Sequence, residues 1–112
     1  MKIFLCFIFV SFQLFAGTPV CDSGKVIKLL RDDNVGNRHQ RFIIKLSSGK
    51  TLLIAHNIDI APKVTPLQEG GVIKFCGDLE TNDKGGVIHW THHDPHNRHV
   101  GGFLEYNGKR YE

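Results

Sequence analysis

Cysteine, proline, methionine and tryptophan are scarce in this chain, with 3, 4, 1 and 1 residues among 112. No two cysteines stand in Cys-x-x-Cys spacing, so the thiolate pattern of a structural zinc site is missing. From Gly24 onward no window repeats apolar residues at a sustained helical spacing, which leaves a small all-β domain as the pattern to test. The one long hydrophobic run, Ile3 to Phe15, falls short of the roughly 20 apolar residues that cross a bilayer. Neither sign of charge forms a block. Lys and Arg number 14 against 11 Asp and Glu, and a scattered net charge of +3 permits contact with phosphates or anionic glycans without demanding it.

What is present begins with an export signal. Met1-Lys2 is a minimal basic segment, the Phe-rich run follows it, and Ala16-Gly17 offers small residues for cleavage. Residues 1–17 therefore read as a secretory signal peptide, and 18–112 as a single domain with no stable membrane anchor after cleavage. A lipoprotein does not fit, because Val20 precedes Cys21 where lipid-modifying processing needs a small residue. Removing the leader takes Cys6 with it. Cys21 and Cys76 remain, an even pair routed to an oxidising compartment, and a disulfide between them is expected to contribute about 3 to 4 kcal/mol. The rival reading, both thiols as metal ligands, lacks the spacing.

From Gly24 onward, short β-branched or apolar runs alternate with turn signals. Val26–Leu30, Gln40–Leu46, Thr51–Ala55, Val72–Glu80 and Val87–His92 read as strands, and Phe103–Tyr106 and Lys109–Tyr111 as a closing hairpin. Ser47-Ser48-Gly49 is a tight connection, and Asn107-Gly108 suits a type I′ turn because both positions need positive φ. Between Ile58 and Gly71, two prolines and a glycine pair allow one short helical turn at most. Five main strands with a break after the third predict a small, partly open Greek-key barrel of the OB type, with a plain β-sandwich as the competitor.

Chemistry is concentrated late in the chain. Five of the seven histidines, namely His89, His92, His93, His96 and His99, fall between Gly85 and His99 beside Asp94, Trp90 and Arg98. On a regular strand His89 and His92 would face opposite sides, so the strand must end near Thr91, and Pro95 makes a break there plausible. The loop beyond then supplies enough nitrogen and oxygen donors for an ion, although no established ligand spacing is present. Against that stands the plainer reading that some of these imidazoles bond backbone carbonyls and lock the loop. His39 follows a turn and is placed to join the loop across the barrel rim, whereas His56 reads as an ordinary polar strand end. Trp90 is expected in the core with its indole hydrogen-bonded.

Across Gly36–Phe42, Ala55–Asp59 and above all His89-Trp90-Thr91-His92-His93-Asp94-Pro95, the chain resembles the bacterial family catalogued as domain of unknown function 3465. The resemblance covers nearly all of the mature chain and implies a small exported protein. It carries Arg38-His39-Gln40, Asn57, His89 to Pro95 and Arg98-His99 as the shared pattern, with His96 and Asn97 outside it, and it brings no known activity.

These parts predict an exported, metal-dependent hydrolase, a nuclease or phosphodiesterase. His93 or His92 would take a proton from water, with His39 beside them. His89, Asp94, Asn57 and His99 would hold a divalent Mg, Mn or Zn ion, and Arg38, Arg41 or Arg98 would clamp phosphate. Nucleic acid or another polyanion is the expected partner of a monomer in the periplasm or beyond it. The alternative is non-catalytic: an OB-type binder of nucleic acid or glycan, or a periplasmic transition-metal-binding protein. A third reading leaves the histidines as structural contacts only.

Overall fold

The computed structural model describes residues 17–112, so the expected leader, apart from Gly17, and Cys6 lie outside the described residues. Among the described residues there are seven strands and no helix: β1 (Thr18–Leu29), β2 (His39–Lys45), β3 (Thr51–Asn57), β4 (Val72–Glu80), β5 (Val87–His89), β6 (Phe103–Tyr106) and β7 (Lys109–Tyr111). The sheet order is β1-β2-β3-β5-β4-β6-β7, and β1 also pairs with β4. The first five strands thereby close on themselves as an OB-like barrel, with the β6–β7 hairpin added outside the ring on the edge of β4.

Closure depends on β1 being long enough to serve two neighbours. Its first half runs Thr18↔Leu79 to Lys25↔Val72 along β4, and its second half pairs Lys25 to Leu29 with β2. A bulge between Val26 and Lys28, with Ile27 as the extra residue, bends the strand from one partner to the next. The strand starts eight residues earlier than the alternation from Val26 predicts, because Thr18 to Ser23 carries no apolar period and is held instead by its ladder. Cys21 and Cys76 lie opposite each other in that ladder and form the expected disulfide, with an S–S distance of 2.03 Å.

Alternation on β2 and β3 sends Phe42, Ile44, Leu52 and Ile54 inward, where they meet Val26, Ile73, Phe75, Ile88 and Leu104. Phe42 and Phe75 are fully buried, and truncating either to alanine would cost about 3 to 5 kcal/mol. Between β4 and β5 the chain turns at Gly85 and Gly86, with φ of 120° and 148°. Any side chain at Gly85 would run into the Thr51 carbonyl, which keeps that turn tucked against β3. Asn107 and Gly108, at φ 52° and 80°, make the expected hairpin turn. Between β3 and β4 there are two turns and no helix: at 58–60 the Ala61 N–H donates to the Asn57 carbonyl at 3.1 Å, and at 69–70 the Gly71 N–H donates to the Gln68 carbonyl at 3.2 Å.

Candidate functional site

The wall between β3 and β5 is short. Only Leu53↔Val87 and Ile54↔Ile88 are paired, so β3 continues to Asn57 with no β5 residue beside its last turn of chain. Trp90 leaves the strand at φ 63°, and Thr91 and His92, both buried, fill the gap instead of extending the ladder. The predicted fifth strand thus stops at His89, before the expected break near Thr91.

His56 lies against this gap and is fully buried, where the sequence suggests an ordinary polar strand end. Its Nε2–H donates to the Pro62 carbonyl at 2.9 Å, which leaves Nδ1 to accept from the Thr91 hydroxyl at 2.7 Å. Burial, with repulsion from His92 and His39 added, lowers its pKa from 6.5 to about 4 against the pull of the Pro62 carbonyl. The ring is therefore neutral near pH 7. Gln40, the register partner of His56, holds Val64 at both ends: its Nε2 donates to the Val64 carbonyl at 2.8 Å, and its Oε1 accepts from the Val64 amide at 2.9 Å.

At the rim beyond His56, two further imidazoles share one bonding pattern. His39 Nδ1–H donates to the Asn37 carbonyl at 2.9 Å, and His92 Nδ1–H donates to the His93 carbonyl at 2.7 Å. In each ring Nε2 has no protein hydrogen-bond partner among the described residues. Burial is the main cause lowering the pKa of His92, and repulsion from His93 and His39 adds to it. His39, His56 and His92 thus lie within electrostatic reach of one another. His93, next along the chain, is exposed.

Asp94 organises the loop that follows. Its Oδ1 accepts from the His96 amide at 2.9 Å, and its Oδ2 from the amides of Arg98 and His99 at 2.7 and 2.8 Å. Those amide bonds hold its pKa down at about 2. The result is an Asx-type turn with the carboxylate inside it. His99 donates from Nδ1 to the Val100 carbonyl at 2.6 Å and approaches Asp78 Oδ2 through Nε2 at 2.9 Å. Both ring nitrogens face oxygen, so the two bonds together require a proton on each nitrogen or one on the Asp78 carboxyl.

Trp90 sits between these two loop histidines, its ring centroid 5.0 Å from His92 and 4.2 Å from His99. Contrary to the expectation of a bonded core indole, the side chain is half-buried and its Nε1 is buried without a hydrogen-bond partner. His89 turns toward β4, with Nε2 3.4 Å from Glu80 Oε1 and no hydrogen bond made.

The predicted site residues therefore fall into two groups. His39 and Asn57 are register partners at the strand ends, near His56 and His92. His89 and His99 instead turn to the acids of β4. Asn57 Oδ1 caps the Asp59 amide at 2.9 Å, and Arg38 holds Asp59 through its amide at 2.7 Å and Nε at 2.8 Å, which keeps that carboxyl below its usual range. Among the described residues no three His, Cys, Asp or Glu side chains are gathered where they could hold a metal ion as they stand. Sequence reasoning missed His56, Gln40 and Asp78. His56 had a signal, since it falls two and four residues after Ile54 and Leu52 on the inward face of its strand.

A family model described as "Protein of unknown function (DUF3465)" matches residues 9–112. No curated protein and no solved structure matches the chain.

Proposed function

The chain belongs to the DUF3465 family of proteins of unknown function, and we propose that it is an exported OB barrel that captures a divalent transition-metal ion at its imidazole rim. One observation carries this reading: His39 and His92 each give Nδ1–H to a backbone carbonyl and keep a bare Nε2. Metal-binding histidines are oriented in that way, since the carbonyl fixes the tautomer and raises the basicity of the opposite nitrogen. The two rings fit the ion in kind, and exposed His93 or water would complete its shell. Nitrogen donors of this type favour zinc, copper or nickel over magnesium. Export is supported by the Cys21–Cys76 disulfide, a bond that persists in oxidising compartments.

Capture is favoured over phosphodiester hydrolysis because three of the groups hydrolysis would draw on are already engaged, although Arg98 and His93 are exposed and have no side-chain partner among the described residues. Arg38 is held by Asp59, Arg41 donates to the Arg31 carbonyl at 3.1 and 3.0 Å, and Asp94 accepts three amides. The test is calorimetric titration of the mature protein with zinc, copper and nickel. Saturable binding that weakens at least tenfold in both His39→Ala and His92→Ala is the expected result. Binding untouched by either substitution would overturn the reading. Parallel incubation with plasmid, single-stranded DNA and RNA, with and without chelator, is expected to leave all three intact, and chelator-sensitive cleavage would restore the hydrolase.

A further inference from the structure

We propose that the outward face of β1, β2, β3 and β5 docks an acidic segment of a partner protein and seats one of its aliphatic side chains. The face follows from register. Phe42, Ile44, Leu52, Ile54 and Ile88 are buried in the barrel, so their chain neighbours Arg41, Ile43, Lys45, Leu53 and Val87 point outward. The pairs Lys28↔Ile43, Ile43↔Leu53 and Leu53↔Val87 set these side chains in one row across four strands, and Lys25↔Lys45 lies in the next row.

Between that row and the turn after β4 lies a cleft of about 210 Å³, lined by Leu30, Ile43, Leu53 and Val87, with Asn82 and Lys84 at its edge. Small-molecule sites run to roughly 300–1,000 Å³. This cleft is below that range and suits a side chain. The bulge turns Ile27 and Lys28 outward in succession, so exposed Ile27 widens the apolar ground beside the lysines.

Charge selects the occupant. Lys25, Lys28, Lys45 and Lys84 make no salt bridge among the described residues, whereas Lys63 and Arg38 are paired with Asp32 and Asp59. One unneutralised ammonium group at the edge of an aliphatic cleft, Lys84, and three more in the adjoining row and the next, Lys28, Lys45 and Lys25, complement carboxylates flanking a leucine, isoleucine or valine. Single-stranded nucleic acid is anionic too, but it binds such barrels by stacking bases on aromatic rings. No aromatic side chain lies in this row. Trp90 is in the rim loop, and Phe103, Tyr106 and Tyr111 are on β6 and β7. The surface is separate from the imidazole rim and does not depend on a metal.

The experiment uses metal-free, isotope-labelled mature protein and follows amide shifts on adding three probes: a Glu-rich peptide with a central leucine, the same peptide with serine there, and its Lys-rich counterpart. The leucine peptide is expected to shift Ile43, Leu53, Val87 and Lys84 saturably. The serine peptide should bind at least fivefold more weakly, and the Lys-rich peptide should not bind. Lys28→Glu combined with Lys45→Glu, both exposed and away from the core, should weaken the leucine peptide at least tenfold with the spectrum otherwise intact. The proposal fails if the leucine peptide leaves these residues unmoved. It also fails if oligo-dT, a sulfated glycan or anionic vesicles shift them at lower concentration than the peptide does.

Discussion

Gln40 and His56 stand opposite one another on β2 and β3, and both reach the same stretch of chain, Gln40 at Val64 and His56 at Pro62. Three hydrogen bonds from two neighbouring inward side chains thus pin the irregular connection between β3 and β4 over the end of the barrel. Replacing Gln40 with leucine would leave the buried amide and carbonyl of Val64 without those partners. A loss of about 2 kcal/mol is expected, measured by urea unfolding at pH 7. No change in the unfolding midpoint would remove the pinning role.

The neutrality of His56 sets an acid limit on stability. Its folded pKa, about 4, is below the unfolded 6.5, so the unfolded chain binds the extra proton first. Stability is fully present above pH 6.5 and declines as pH falls toward 4, by roughly 3 kcal/mol in all. Denaturant unfolding at pH 7, 5.5 and 4.5 checks this. His56→Gln should flatten the profile in that window even as it lowers stability at pH 7, and an unchanged slope would assign the decline to other groups.

Asp94 works at lower pH. Its folded pKa, about 2, is below the ordinary 3.8, so the stability it contributes is present above pH 4 and lost as pH falls through 2. In Asp94→Ala the amides of His96, Arg98 and His99 lose their acceptor. Hydrogen exchange at those three amides should quicken more than at any strand amide. Preserved protection would show that other contacts shape the loop.

The disulfide closes a sequence separation of 55 residues, and loop entropy of that size corresponds to about 4 kcal/mol. Cys21→Ser with Cys76→Ser should lower stability by that order and loosen the first half of β1 from β4. Thermal unfolding under oxidising conditions compares the two proteins. A double variant as stable as its parent would show that the β1–β4 ladder suffices alone.

Gly102 packs where no side chain fits, since a Cβ there would collide with the carbonyls of Trp90 and Cys76. Both obstacles are backbone and cannot rotate aside. Gly102→Ala should cost about 1 to 3 kcal/mol, read by thermal unfolding, and displace Trp90, read by its fluorescence.

Much of the barrel was legible in the chain because its devices are local. Alternation on β2, the Ser47-Ser48-Gly49 connection and the positive-φ Asn107-Gly108 turn each announce themselves within a few residues. The first half of β1 was not legible, because Thr18 to Ser23 is specified by its pairing with β4 and has no period of its own. Trp90-Thr91-His92 reads as strand by residue type, yet Trp90 turns at φ 63° and the two residues after it serve the core as a plug. Histidine clustering marked the end of β5 and the loop after it but not which of these rings lie at the rim, since His89 and His99 turn to the acids of β4. Which imidazole is buried, which is braced by a carbonyl and which faces an acid depends on residues as distant as Pro62 and Asp78.

The two residue pairs joining β3 to β5 make the barrel a hoop with a short clasp. Breaking them releases far fewer backbone bonds than parting β1 from β4 or β2 from β3. Partial opening will begin at that clasp, on the flank of Ile54 and Ile88, and solvent will reach the interior there while the remaining strands stay fastened.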